Sequence, residues 1–293
     1  MTENEFILAD RITKIQSTVN QYGQDSFYIS YSGGKDSVVL SHLVDLAIPG
    51  NQIPRVYIDT GIDLYMIRDF VRDQKQKDPR IQIVSPKIPI KKTLETFGYP
   101  FKSKEFSKVL SLYQRKSMMP TVKRFLHPRE DTGRRHQCPK SLTWMFSDQC
   151  GLRISDKCCY YMKEKPLRDW ANEHHKKCTM TGIRKSEGGR RDHARCITQR
   201  GRKVHFNPLF VVNDEWEEWF IREYSIEICG IYNPPYNFDR TGCKGCPFNI
   251  HIQRELETLE KYFPVERKQC EAIWKPVYEL YRKMHYRLKD KNL

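Results

Sequence analysis

A short run of small and charged residues, from Ser32 to Ser37, has the composition of a phosphate-binding loop. Gly33 and Gly34 allow the backbone to approach a phosphate closely, and Lys35 adds a full positive charge. Hydrophobic residues at helical spacing follow, so free N–H groups at a helix start would face the phosphate. The spacing differs from the Walker A motif, which has four residues between its glycines. The run therefore predicts a nucleotide phosphate site of another type.

Four of the ten cysteines form two pairs whose spacing suits a metal site. Cys158 and Cys159 are adjacent, whereas Cys243 and Cys246 form a Cys-x-x-Cys turn in which a glycine precedes each cysteine. Four thiolates can hold either zinc or an iron–sulfur cluster. Structural zinc sites more often use two Cys-x-x-Cys turns, so the adjacent pair favours iron–sulfur without excluding zinc. The other six cysteines lack paired spacing, and such residues are often buried small hydrophobes.

The elements that must position these residues alternate between strands and helices. Apolar runs predict buried strands at 27–31, 56–58, 81–84 and 178–181, and helical periodicity occurs at 5–22, 38–46 and 64–76. This alternation predicts an α/β protein with a parallel doubly wound sheet flanked by helices, and residues 250–289 add a helical C-terminal part. Ligands of such sheets bind beyond the carboxyl ends of the strands, where Asp59, Thr60 and Gly61 follow the second strand.

The positive charge of the chain is concentrated in its middle third. The net charge is +15, and residues 101–203 contain 26 basic and 10 acidic residues. So basic a surface implies an anionic partner, such as a nucleotide, a nucleic acid or a lipid headgroup, although a solvated basic face is the alternative.

Neither a membrane span nor a signal peptide is expected. No stretch of about 18 apolar residues occurs, and the first residues lack the basic and apolar regions of a secretory signal. We therefore expect a cytoplasmic protein. In that reducing compartment the cysteines are expected to be metal ligands, catalytic thiols or buried residues rather than disulfides.

Several of these segments resemble known families. The loop resembles the Ser-Gly-Gly-x-Asp-Ser signature of the PP-loop ATP pyrophosphatases, which cleave a nucleotide between its α- and β-phosphates. The segment that begins at Cys158 and ends at Leu167 resembles the cluster motif of assimilatory adenylyl-sulfate reductases. Further matches to the phosphoadenosine phosphosulfate (PAPS) reductase family are Gly182-Ile183-Arg184, Ser186-Glu187, Asn207-Pro208-Leu209, Trp216 and Asn233-Pro234-Pro235-Tyr236. The chain is identified as a member of this family.

The resemblance implies an adenine nucleotide alpha-hydrolase-like domain over residues 1–249, with a basic insertion around 100–150. Residues 250–293 would form a helical extension packed on that domain. The cofactors implied are ATP and Mg²⁺ at the loop and a [4Fe-4S] cluster on Cys158, Cys159, Cys243 and Cys246.

The resemblance also implies catalytic roles for Lys35, Asp36 and Arg184. Lys35 and the loop amides would hold the β- and γ-phosphates, and Asp36 would orient the loop or, with Mg²⁺, bridge phosphates. Arg184, with Arg190 or Arg191, would neutralise the α-phosphate or the acceptor, ordinary surface charge being the alternative for the last two. The nucleotide-binding residues implied are Ser32, Gly33, Gly34, Lys35, Asp36, Ser37, Asp59, Thr60, Gly61, Gly182 and Arg184.

The sequence departs from the family pattern at one motif. Sulfonucleotide reductases share a C-terminal Glu-Cys-Gly-Leu-His motif whose cysteine attacks the sulfate sulfur, whereas no cysteine follows Cys270 here. Unless an internal thiol such as Cys270 replaces that nucleophile, we expect another reaction. This is cleavage of ATP to AMP and pyrophosphate, which would activate an acceptor for sulfur transfer, as in DNA phosphorothioation or tRNA thiolation.

The basic middle third favours a nucleic acid as that acceptor. The expected partners are a cysteine desulfurase or another sulfur or electron donor, and a second copy of the chain in a homodimer. Two alternatives stay open. One is reduction of adenylyl sulfate or PAPS to sulfite, and the other is a non-catalytic nucleotide-binding subunit of a larger complex.

Overall fold

The computed structural model describes residues 1–117, 119–128, 136–187 and 194–289. The helices are α1 (Glu3–Tyr22), α2 (Lys35–Ala47), α3 (Tyr65–Lys77), α4 (Ile90–Phe97), α5 (Lys104–Gln114), α6 (Pro120–Leu126), α7 (Lys157–Cys159), α8 (Lys165–Glu173), α9 (Asp214–Glu223), α10 (Ile252–Tyr262) and α11 (Pro264–Lys283). The strands are β1 (Phe27–Ser30), β2 (Arg55–Ile58), β3 (Ile81–Val84), β4 (Cys178–Met180), β5 (Ile197–Arg200) and β6 (Lys203–Phe206).

The chain forms two compact units. The first comprises Met1–Asp59, Asp63–Ser85 and Lys165–Thr241, and the second comprises Thr60–Ile62, Pro86–Glu164 and Gly242–Leu293. The domain boundary expected after residue 249 stays a prediction.

The first unit contains the whole sheet, in the order β3-β2-β1-β4-β6-β5. Neighbouring strands are parallel except at one edge, where β5 and β6 form an antiparallel pair. The predicted parallel, doubly wound α/β architecture is therefore confirmed. The antiparallel edge was not predicted, because neither strand forms an apolar run: β5 has one apolar residue followed by three polar ones, and β6 alternates exposed polar with buried apolar residues.

Local sequence explains where the first elements begin and end. At the start of α1 the Thr2 hydroxyl accepts a bond from the Glu5 amide at 3.3 Å, and the Glu5 carboxylate accepts one from the Thr2 amide at 2.7 Å. This capping box satisfies two free donors of the helix. Gly23, at φ 78°, ends α1 and turns the chain toward β1. The strand then buries Phe27 and Ile29 completely.

The second unit is mainly helical, with an aromatic core. Phe106 of α5 packs edge-on against Phe125 of α6 at 6.0 Å and against Phe146 at 5.7 Å, measured between ring centroids. Phe101 packs similarly against Tyr281 of α11 at 4.9 Å. The predicted helical C-terminal part is confirmed as α10 and α11, which are separated at Phe263 before a helix-starting proline. No helix in the described ranges has both the length and the apolarity to cross a membrane.

Candidate functional site

The loop that begins at Ser32 joins β1 to α2 in the first unit. Its strand pairs with β2 on one side and with β4 on the other, so the strand order reverses here. In open α/β sheets the crevice at such a reversal is where ligands bind. The first turn of α2 is capped by Gly34 without a side-chain hydrogen bond, so its amides face the loop.

Hydrogen bonds within the loop hold its shape. The Ser37 hydroxyl donates to the Gly34 carbonyl at 2.8 Å and accepts from the Ser32 amide at 3.1 Å. The Ser32 hydroxyl accepts from the Gly34 amide at 3.2 Å. Gly33 lies at φ 71°, and a Cβ there would be 2.5 Å from a methyl carbon of Val71. The two serines therefore shape the loop itself, in addition to their predicted role toward phosphate.

Two further hydroxyl groups lie beside Gly34. A Cβ at Gly34 would be 3.0 Å from Thr241 Oγ1 and 3.1 Å from the Tyr232 hydroxyl oxygen. The Tyr232 hydroxyl accepts from the Lys35 amide at 3.3 Å and lies 2.7 Å from Thr241 Oγ1. Burial raises the pKa of Tyr232 to about 12, so this phenol keeps its proton. Sequence reasoning missed both residues, although Tyr232 directly precedes the Asn233-Pro234 motif.

Charged side chains converge at the start of α2. Arg184 Nε lies 2.5 Å from Asp36 Oδ1, and its Nη1 contacts the Asp214 carboxylate. Lys35 Nζ lies 3.0 Å from Glu217 Oε2, and Arg184 Nη2 lies 3.3 Å from the same oxygen. The structure thus brings together the three residues predicted to be catalytic, and adds two carboxylates from α9.

Glu217 was missed because a glutamate in an amphipathic helix is usually exposed. Here its side chain is 0% exposed. Burial and the negative charge of Asp36 raise the pKa of Glu217 to about 7, while Arg184 and Lys35 oppose the shift. The carboxyl group therefore keeps its proton to a higher pH than an exposed glutamate does.

The remaining predicted nucleotide residues lie at strand ends. Gly182 follows β4, and a Cβ there would be 2.7 Å from the Asp36 carbonyl oxygen, so only glycine permits this approach. Asp59 follows β2 and accepts from Arg68 Nη2 at 3.3 Å. Thr60 and Gly61 belong to the second unit, where Thr60 Oγ1 accepts from the Ile62 amide at 3.3 Å. Arg190 and Arg191 lie outside the described residues.

The four paired cysteines all belong to the second unit. Cys158 and Cys159 end the short helix α7, directly before a π-helical turn at Tyr160–Glu164. The Cys246 amide donates to the Cys243 carbonyl at 3.2 Å within the other pair's turn. None of the ten cysteines, all of which are described, is joined in a disulfide.

The thiols of the two pairs influence one another. The hydrogen bond that the Cys158 thiol donates to Cys159, together with burial, raises the pKa of Cys158, and the charges of Cys246 and Cys243 raise it further. The same hydrogen bond lowers the pKa of Cys159 to about 7, against its burial, and Lys104 contributes. Within the described ranges, however, no three Cys, His, Asp or Glu side chains are arranged to hold a single metal ion.

Helices α10 and α11 hold the Cys-x-x-Cys turn. The Gly245 amide donates to Glu255 Oε1 at 2.7 Å, and its carbonyl accepts from the Tyr278 hydroxyl at 2.5 Å. Gly245 lies at φ 61°, and a Cβ there would be 2.8 Å from Cys270 Sγ. Burial raises the pKa of Cys270 to about 12. Cys270 is therefore a packed thiol, which argues against it as the replacement nucleophile.

The sequence of the chain matches one family profile and one curated protein. The profile of the phosphoadenosine phosphosulfate reductase domain matches residues 26–141 and 126–249. A curated GMP synthase [glutamine-hydrolyzing] from Hahella chejuensis is 37% identical over 78 residues. That match covers 27% of this chain, and the chain spans only 14% of the length of that relative.

Solved structures give weaker likenesses. The PAPS reductase of Candida auris is 14% identical, with a TM-score of 0.45 over 79% of this chain and 93% of that one. The FMN adenylyltransferase of Candida glabrata is 14% identical, with a TM-score of 0.47 over 80% and 61% of the two chains. The NH3-dependent NAD synthetase of Campylobacter jejuni is 14% identical, with a TM-score of 0.45 over 100% of both. These values identify neither a substrate nor a reaction.

Proposed function

The chain belongs to the phosphoadenosine phosphosulfate reductase domain family, and on this premise we propose that it cleaves ATP to AMP and pyrophosphate to activate an acceptor for sulfur transfer. The observation that carries the proposal is the loop at the carboxyl end of β1, where Lys35 and Arg184 converge on the start of a helix. Phosphate groups bind at helix starts because the first amides have no partner within the helix and the dipole is positive there. Here the Lys35 amide is held by the neutral Tyr232 hydroxyl at 3.3 Å, a bond that a phosphate oxygen could replace.

The chain's own residues would act on the phosphates. The loop amides and Lys35 would hold the β- and γ-phosphates and stabilise the charge that develops on pyrophosphate as it leaves. Arg184 would neutralise the α-phosphate. Asp36 would hold Mg²⁺, which neutralises phosphate charge when it is bound.

The proposed reaction has two steps. An acceptor oxygen attacks the α-phosphorus, and the bond from this atom to the bridging oxygen breaks, so pyrophosphate leaves with the electron pair. A sulfur nucleophile then displaces AMP from the adenylated acceptor. The basic middle third supports a nucleic acid as acceptor. A cysteine desulfurase or another sulfur donor would supply the sulfur, and a homodimer stays a prediction.

We also propose a [4Fe-4S] cluster on Cys158, Cys159, Cys243 and Cys246. The donor set fits, because all four groups are thiols of one unit and the charges of Cys243 and Cys246 act on the pKa of Cys158. A four-iron cluster spaces its thiolates more widely than a single ion does, which is compatible with the lack of a mononuclear site among the described residues. When bound, such a cluster would supply electron transfer or a sulfur-binding iron.

Pyrophosphate release tests the nucleotide reaction. Anaerobically purified protein should release pyrophosphate from ATP, and Lys35→Ala should lower the rate by about 100-fold because it removes a charge from the leaving group. The control is Lys75→Ala, which changes an exposed lysine in the last turn of α3, outside the phosphate loop. No pyrophosphate, even with nucleic acid and a sulfur donor added, would contradict the proposal.

Reduction of a sulfonucleotide is the second candidate, because the matching family is described by that activity. Release of sulfite from adenylyl sulfate in the presence of reduced thioredoxin would establish it in place of the leading proposal. Nucleotide binding without turnover under either condition would indicate the non-catalytic subunit.

Metal analysis tests the cluster separately. Reconstituted protein should contain about four irons per chain, and Cys158→Ala should lose most of them. Cys196→Ala is the matched control, since Cys196 lies in the first unit, away from the paired cysteines in the chain. Stoichiometric zinc without iron would contradict the cluster.

A further inference from the structure

Both cations proposed to bind phosphate, Lys35 of the loop and Arg184 after β4, are paired with one buried carboxylate. Lys35 Nζ and Arg184 Nη2 lie 3.0 and 3.3 Å from the same oxygen, Oε2 of Glu217. Glu217 belongs to α9, whereas Lys35 opens α2, so the pairing joins two helices that are distant in sequence. The proposed reaction needs both cations at the phosphates, yet in this arrangement a protein carboxylate already compensates them.

The two cations differ in how firmly they are held. Arg184 is 6% exposed and also contacts Asp36 and Asp214. The Lys35 side chain is 25% exposed, and Glu217 is the carboxylate it pairs with. The flexible lysine stem can reorient without breaking the other pairs of the cluster. Lys35 is therefore the cation that phosphate oxygens would draw away.

If Lys35 moved away, the buried Glu217 carboxylate would lose one of the two positive charges that pair with it. An under-compensated buried carboxylate is costly and takes up a proton instead of staying charged. The charged groups that act on Glu217 are Lys35 and Asp36 on α2 and Arg184 after β4, and Arg184 also contacts Asp214 at the start of α9. Burial and Asp36 already raise the pKa of Glu217 to about 7 in the free protein. Nearby phosphate charge would raise it further.

We propose that Glu217 is the positioning residue for Lys35, and that a nucleoside triphosphate at the loop draws Lys35 from Glu217 to its phosphates while Glu217 takes up a proton from solvent. The inference rests on the proposed function only in placing a nucleotide at this loop. Glu217 thus holds the lysine in place before the nucleotide arrives and becomes neutral when the lysine leaves. Nucleotide binding and proton uptake are coupled.

Calorimetry in two buffers with different ionisation enthalpies counts the protons. At pH 8, binding of the α,β-methylene analogue of ATP to the wild-type protein should take up close to one proton per nucleotide. Glu217→Gln should bind the analogue with uptake close to zero. Glu218→Gln is the matched control, because it makes the same charge change at the next, exposed position of α9 and should behave as wild type.

Because binding takes up a proton, the affinity for the ATP analogue should fall as pH rises. The Kd of the wild-type protein should rise by about tenfold per pH unit above pH 7, until the pKa of Glu217 in the complex is reached. The Kd of Glu217→Gln should stay flat over this range. Equal pH dependence in the two proteins would overturn the inference, because a merely structural glutamate would not change the proton count.

A measurement on the wild-type protein alone tests the inference even if the Glu217→Gln variant does not fold. Infrared difference spectra should show a protonated carboxyl C=O band appearing when the analogue binds, and its absence would equally overturn the inference. If the wild-type protein binds no nucleotide, the proposed function fails. If it binds without extra proton uptake relative to Glu217→Gln, only the role of Glu217 fails.

Discussion

At the level of single residues, the backbone around the phosphate loop packs so closely at some glycines that a side chain has no room. Gly182 follows β4 and lies so close to α2 that a Cβ would be 2.7 Å from the Asp36 carbonyl oxygen. That oxygen belongs to the backbone and cannot rotate away. The close approach also sets the position of Arg184, two residues further along the chain.

We therefore expect Gly182→Ala to be destabilising and to weaken nucleotide binding. The added methyl would force the chain after β4 away from α2, at a cost of about 1–3 kcal/mol in the free energy of unfolding. Urea denaturation and analogue binding measure the two effects. Gly151→Ala is the control, because a Cβ there would meet no atom within 4 Å. Equal stability of the two variants would contradict the close contact.

The residues of this site were unequally predictable from the sequence. Small residues and a lysine between a strand and a helix form a local pattern, so the position of the loop between β1 and α2 could be predicted, while its role toward phosphate stays a prediction. Arg184 was expected to face phosphate, but the structure also shows its pairs with Asp36 and Asp214. Glu217 carried no signal, because its burial depends on tertiary packing against residues nearly two hundred positions earlier.

Among the elements, α2, β2 and the segment between α3 and β3 are joined by a charged network. Arg55 of β2 is completely buried, and its Nη2 lies 2.6 Å from Asp45 Oδ1. Arg80 binds both oxygens of the same carboxylate, at 2.8 and 3.1 Å. Burial opposes ionisation of Asp45, but hydrogen bonds from Arg80 and the charge of Arg55 outweigh it and lower the pKa.

Asp45→Asn should lower the free energy of unfolding by about 1 kcal/mol at pH 7, because the buried Arg55 loses its nearest anion, while partial exposure of Asp45 and the second carboxylate of Asp78 limit the loss. A carboxyl with a lowered folded pKa stabilises above its unfolded pKa of about 4 and loses that effect as pH falls through the folded value. The difference between wild type and variant should therefore shrink toward pH 3. Denaturation curves at both pH values measure this.

The control for this prediction is Asp69→Asn, whose ion pair with Arg72 is exposed and spans 3.5 Å. It should change stability little at either pH, since exposed pairs are weak. A wild-type advantage over Asp45→Asn that persists unchanged at pH 3 would show that the network does not act through charge.

The elements were predictable where apolar residues run together. The predicted strand at 81–84 matches β3, and the first strand differs by one residue from β1. Strands β5 and β6 escaped prediction, because Gln199 and Arg200 are exposed at a sheet edge and neither strand forms an apolar run. The basic segment 100–150 was also hard to interpret, since its core is built from widely spaced aromatic residues.

For the whole molecule, the net charge of +15 bears on the proposed acceptor. If the acceptor is a nucleic acid, its affinity should fall steeply with salt, because bound counterions are released. A double variant, Lys123→Gln with Arg124→Gln, changes two exposed basic residues of the middle third. It should reduce the slope of log K against log salt by about 1 for each phosphate that the variant no longer neutralises.

A double variant outside that segment, Lys261→Gln with Lys268→Gln, makes the same change in net charge and serves as control. It should leave the slope close to the wild-type value. Filter binding or fluorescence anisotropy over a salt series measures the slopes. An affinity independent of salt in the wild-type protein would remove the argument for a nucleic acid.

The strand order has a consequence for how the chain folds during synthesis. The central strands β1 and β4 pair Phe27 with Cys178, and the paired residues Tyr28 and Thr179 are 151 positions apart. At a translation rate of about 5–20 residues per second, β1 waits on the order of ten seconds for this neighbour. Throughout that interval one edge of β1 presents unpaired N–H and C=O groups. A strand of another chain can pair with this edge and start aggregation. The centre of the sheet therefore closes only after β4 has been made, and the segment Pro86–Glu164, made in between, accounts for much of the delay.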